Sequence, residues 1–138
     1  MFWKVAKHLR TETTAEQGPQ LLPVILVTLL EVDEADHPAI LEHLHSRLHN
    51  RHKLVFLLST DNFAPFLRYA AAFETFPSSD QQARHRRLID WPGYLTEKWE
   101  LLLLKWRPEN VLSYGTNPDR FLAQARITAG RTAQDRFK

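Results

Sequence analysis

The chain has 138 residues, a formal net charge of +2, 43% hydrophobic and 25% charged residues, and no cysteine. That length suits one domain with one core, and so small a net charge gives no reason to expect a polyanionic partner. The absence of cysteine excludes disulfides, thiolate metal ligands and thiol nucleophiles, and it fits a reducing, cytoplasmic setting.

Residues 1–10 set Phe2, Trp3, Ala6 and Leu9 against Lys4, Lys7 and Arg10. This spacing fits a short amphipathic helix that touches a membrane surface, or a terminal helix or strand that packs on the domain or a partner. It lacks the long apolar core of a signal peptide. Residues 11–20 are polar, are broken by Gly18-Pro19, and read as a linker. Residues 22–30 form an almost unbroken apolar run rich in β-branched side chains, the mark of a strand buried on both faces. The run is too short to span a bilayer as a helix.

An acidic connection follows, with Glu31, Asp33, Glu34, Asp36 and then His37. Pro38 opens a helix on which Ile40, Leu41, Leu44 and Leu48 recur at helical spacing. Residues 53–59 are a second buried strand. Residues 59–62 read as a turn and helix-capping cluster. Phe63, Phe66, Leu67 and Ala70 make the next apolar stripe, and residues 73–76 a short third strand. The polar stretch 78–88, with Arg84, Arg86 and Arg87, reads as a mobile loop.

Asp90, Pro92 and Glu97 mark the start of the strongest helix, which Pro108 ends. Trp91, Leu95, Trp99, Leu102, Leu103 and Trp106 share one broad face of it. Residues 110–114 are a fourth strand, and residues 115–117 a turn. Pro118 starts a last helix with Phe121, Leu122 and Ala125. Residues 128–138 read as a flexible polar tail.

Strands that alternate with helices predict a three-layer α/β domain over residues 21–127, with a mostly parallel sheet of about four strands. Right-handed crossovers make 3-2-1-4 the natural order of those four strands. Ligands in such sheets bind beyond the carboxyl ends of the strands, where the order reverses. We therefore expect His37, Thr60, Asp61, Thr116 and Asn117 to line one site for a polar ligand. His37 is the candidate base, since the start of a helix lowers an imidazole pKa. Glu31, Asp33 and Asp36 work the other way and would repel an anionic ligand. Such a site requires the fourth strand beside the first, with His37 and Asn117 on the same side.

Other chemistry is poorly represented. The acidic connection shows no metal-ligand spacing, so we expect a solvated turn and no metal. The i, i+4 pair His45 and His49 lacks a carboxylate partner of any known motif and reads as surface histidines. With four glycines and no glycine-rich phosphate loop, no nucleotide cofactor is expected. No aromatic residues interleave the arginines, which argues against a nucleic-acid groove.

Three stretches carry a resemblance: residues 37–44 (HPAILEHL), residues 53–66 with Lys53-Leu-Val-Phe-Leu-Leu-Ser-Thr-Asp61, and residues 73–77 (FETFP). With residues 103–114 they resemble the N-terminal, acceptor-side domain of GT-B glycosyltransferases, a Rossmann-like domain, over roughly residues 22–125. The position of His37 matches that family's "GH" turn, while residues 31–36 replace its glycine-rich loop. The family's donor-binding second domain has no counterpart here. The resemblance thus implies an acceptor-side domain for a sugar or other small polar ligand, acting with a separate donor-binding protein or as a homo-oligomer. The rival expectation is a non-enzymatic binding or interaction module of the same fold.

Overall fold

The computed structural model describes residues 2–4 and 21–135, with side chains placed over residues 21–127. The strands are β1 (Phe2–Lys4), β2 (Val24–Leu30), β3 (Lys53–Leu58), β4 (Ala72–Thr75) and β5 (Asn110–Gly115). The helices are α1 (His37–Leu48), α2 (Ala64–Arg68), α3 (Ser79–Arg84), α4 (Trp91–Trp106) and α5 (Pro118–Asp135), and a 3-10 turn at Glu34–Asp36 precedes α1.

One sheet runs β1-β5-β2-β3-β4. The pairs β5–β2, β2–β3 and β3–β4 are parallel. These four strands stand in the order that the crossover argument predicts. β1 adds an antiparallel edge, with Phe2 opposite Leu112 and Lys4 opposite Asn110. Within the amphipathic N-terminal segment, then, residues 2–4 are strand and not helix. Bulky Phe2 and Trp3 suit a pleated edge as well as a helical face. The remainder of that segment and the linker lie outside the described residues.

Alternation along the central strands builds two cores. Leu26 and Leu30 of β2 with Val55 and Leu57 of β3 meet α4 and α5 through Trp91, Leu95, Trp99, Leu102 and Phe121. Ile25, Val27, Leu29, Phe56 and Leu58 point the other way and meet Leu41, Leu44 and Phe66 of α1 and α2. Because both faces are covered, the strands carry no polar alternation. Each large apolar side chain so buried is worth roughly 1.5–3 kcal/mol.

Two segments depart from the reading by pattern. Within the stretch expected to be a loop, residues 79–84 are the helix α3. Ser78 Oγ accepts from the Gln81 N–H while the Gln81 side chain accepts from the Ser78 N–H, a complete capping box. Residues 128–135, expected as tail, continue α5. Alanine, arginine and glutamine there favour helix despite their polarity, and Gly130 costs only about 1 kcal/mol.

Asp90 stands at the start of α4 but makes no side-chain cap. Its carboxylate instead fills the space where a Cβ on Gly93 would lie, 2.5 Å from Oδ2.

Candidate functional site at the carboxyl edge of the sheet

The carboxyl ends of β2, β3 and β5 converge because β5 and β2 are neighbours. The Thr116 N–H donates to the Leu30 carbonyl at 3.0 Å, closing the two strand ends on each other. Gly115 makes this closure possible. Its φ is +69°, and a Cβ there would stand 2.6 Å from the Leu30 carbonyl oxygen and 2.7 Å from Val32 Cγ2.

Glu31, the first residue after β2, occupies the left-handed region with φ 60°. A side chain there costs on the order of 1–3 kcal/mol and persists only when its surroundings dictate it. Here they do. The Glu31 N–H donates to Ser59 Oγ at 2.8 Å. Glu31 Oε1 accepts from the N–H and the hydroxyl of Ser79, both at 3.1 Å. Glu31 thereby ties the ends of β2 and β3 to the start of α3.

Three open depressions meet at Glu31. The first, about 460 Å³, is lined by Glu31, Glu34, Thr60, Asp61, Ser78 and Arg84 among others. The second, about 480 Å³, runs between Asp36, Ile40, Tyr114 and Gly115. The third, about 390 Å³, is bounded by Ser79, Thr116, Arg120 and Gln124. The acidic loop braces the first one. Thr60 donates its hydroxyl hydrogen to Glu34 Oε1, and the Asn62 amide donates to Glu34 Oε2 at 3.4 Å. Asp33 Oδ1 accepts from the Ala35 N–H and so starts the 3-10 turn.

The five residues expected to form one site are divided. Thr60 and Asp61 line the first depression and Thr116 the third, with Glu31 between them. Asn117 Oδ1 accepts from the Arg120 N–H at 2.8 Å and is spent as the cap of α5.

His37 turns inward. Its side chain is 1% exposed and packs edge-on against Phe66 at 5.5 Å, and its Nε2 is shielded without a partner. It belongs to the α1 and α2 layer, while Asn117 opens α5 in the opposite layer, so the two share no cleft. Burial holds the imidazole pKa below its ordinary value. The hydrogen bond to the Val32 backbone and the charges of Glu34, Asp33 and Asp36 oppose that without reversing it. Desolvation, and not the helix start, is thus the main cause of the lowering.

Glu31, Ser79, Arg84 and Arg120 were not among the residues expected to line the site. The signals were present. Glu31 is the first residue beyond a buried strand at the switch point, and Ser78 with Gln81 spells a capping box. Among the described residues no cluster of three or more histidine, aspartate or glutamate side chains has the geometry to hold a metal ion. Nor is any described helix long and apolar enough to cross a membrane.

Fold and site together define an open, three-layer α/β domain of Rossmann-like topology with a polar, glycine-poor carboxyl edge. No protein-family model matches the chain, no curated protein is significantly similar to it, and no solved structure matches it.

Proposed function

We propose that this chain is an acceptor-side domain in glycosyl transfer. It holds a neutral, polyhydroxylated ligand at the carboxyl edge and relies on a separate chain for the donor. The observation that carries this reading is the convergence of three open depressions on Glu31, two of them mainly polar. Hydroxyl groups of a sugar need close acceptors and donors, and Glu31, Asp61, Thr60, Thr116, Gln81 and Arg84 offer both. A nucleotide diphosphate needs backbone N–H groups presented by a glycine-rich loop. This edge offers four acids in that place, which repel phosphate. The resemblance over residues 22–125 points the same way.

The burial of His37 favours a second reading, a binding module that performs no transfer. With that imidazole out of reach, the residue expected to act as the base is not at the edge. For the same reason we assign this chain binding of the acceptor and not the proton transfer.

Amide-resolved NMR titration tests the proposal. Unphosphorylated mono- and oligosaccharides should shift the amides of Glu31, Thr60 and Thr116 saturably, while nucleotide sugars should leave them in place. Saturable shifts from a nucleotide sugar alone, or from neither class, would refute it. Sugar binding with no donor-domain partner recovered on copurification would favour the second reading.

A further inference from the structure

At the opposite end of the strands lies a cavity that the proposed function does not use. It is about 330 Å³ and sits between α1 and the segment that joins α2 to β4. Leu41, Leu54 and Phe56 form its apolar floor, and Ala70, Ala71 and Ala72 keep one wall low. The rim is aromatic and polar. The rings of His45 and His49 stack at 4.4 Å with 7° between their planes, and His45 lies 5.1 Å from Tyr69. His52 closes the end of the cavity, and its Nδ1 is shielded from solvent with no hydrogen-bond partner.

The wall at Ala70 is held under strain. Ala70 has φ 51°, in the left-handed region. The Ala71 N–H donates to the Phe66 carbonyl at 2.9 Å and the Ala70 N–H to the Leu67 carbonyl at 3.1 Å, the helix-ending pattern in which glycine is usual.

We propose that this cavity binds a small aromatic carboxylate. The volume falls at the lower end of ligand pockets, which combine an apolar body with a few placed polar groups. The apolar floor and stacked imidazoles suit a flat ring, since aromatic pairs add about 0.5–1.5 kcal/mol beyond area burial. The polar groups choose the sign of the ligand. Among the described residues no aspartate or glutamate lines the cavity, although the chain has 16 acidic residues. The His45 and His52 imidazoles and the Tyr69 hydroxyl can donate hydrogen bonds, while His49 Nδ1 already donates to the His45 carbonyl. Lys53 contributes its stem, and its Nζ lies over the Trp106 ring at 5.1 Å.

The test uses the full chain and three probes of one shape: benzoate, benzamide and benzamidine. Benzoate should shift the amides of Ala70, Ala71 and Ala72 saturably, benzamide should bind more weakly, and benzamidine should not bind. His45→Ala and Tyr69→Ala lie on the cavity rim, and each should weaken benzoate about 10-fold. A circular dichroism spectrum identical to that of the parent chain confirms that each variant is folded. The proposal is overturned if no probe gives saturable shifts, if benzamidine or benzamide matches benzoate, or if both folded variants bind benzoate like the parent chain.

Discussion

Two glutamates, one under a helix and one at the strand ends, receive the same number of hydrogen bonds and do different work. Glu74 Oε2 on β4 accepts from Lys105 Nζ and from Trp106 Nε1, both at 2.7 Å. Burial alone would raise its carboxyl, but those two bonds together with the charges of Lys105 and Lys98 outweigh it and hold the pKa below the ordinary value. Glu31 Oε1 also accepts two bonds, both from Ser79 at 3.1 Å, and both donors are neutral. Glu74 faces a charged partner and pins α4 to the sheet. Glu31 is exposed, strained, and bordered by three depressions. The packed region of the molecule thus spends its carboxylate on stability, and the open edge leaves one exposed.

The largest effect should come from the packed region. Trp99→Ala removes an aromatic side chain that is 5% exposed between α4 and the sheet, and should cost roughly 3–5 kcal/mol in urea unfolding. A loss within the ±0.5 kcal/mol usual for surface changes would mean that this face is not packed.

Gly115→Ala puts a similar demand on the open edge. The new Cβ meets the Leu30 carbonyl in a left-handed backbone, so a loss of about 1–3 kcal/mol is expected. A neutral result would show that the junction of β2 and β5 gives way easily, and the contrast between the two regions would weaken.

Glu74→Gln should cost about 1–2 kcal/mol at neutral pH, since Lys105 is exposed and its share is screened. The sign of the pH effect follows from linkage. A carboxyl whose folded pKa lies below the unfolded 4.5 stabilises the fold above that pH, and the benefit is lost as pH falls through the folded value. The variant should therefore lose less stability than the parent across the acid limb.

His37 acts in a separate window. Its folded pKa is below 6.5, so the unfolded chain binds the proton first and stability declines as pH falls from about 6.5. In His37→Leu that decline should be reduced. An unchanged slope would place the buried imidazole in contact with water.

The smallest stability effect should come from Glu31→Gly. Relief of the left-handed strain offsets the two bonds lost to Ser79, leaving a change within about 1 kcal/mol. Saccharide binding should nevertheless disappear. If stability collapses instead, Glu31 is a structural tie like Glu74.

The order of elements, the sheet topology and the buried face of α4 were legible in the residues alone. Apolar runs buried on both faces, helical spacing of Leu41 and Leu44 or of Trp91, Leu95, Trp99 and Leu102, and breaks at Pro38 and Pro108 are local signals that packing reinforces. β1 was legible only as one alternative to a helix, because three residues gain a strand only by pairing with β5, more than a hundred positions away. The helix in residues 79–84 was legible in its capping box but masked by a polar composition.

The candidate site divides along the same line. The location of a polar edge at the switch point followed from strand order, and strand order from handedness. Thr60, Asp61 and Thr116 line it as expected, but which side chains of the acidic connection face that edge did not follow. His37 and Glu31 stand six residues apart in one acidic connection, and nothing in their spacing says which turns inward. Only the assembled sheet decides this. It offers His37 the ring of Phe66 and the Val32 backbone, and it offers Glu31 the hydroxyls of Ser59 and Ser79, from chain 28 and 48 residues away.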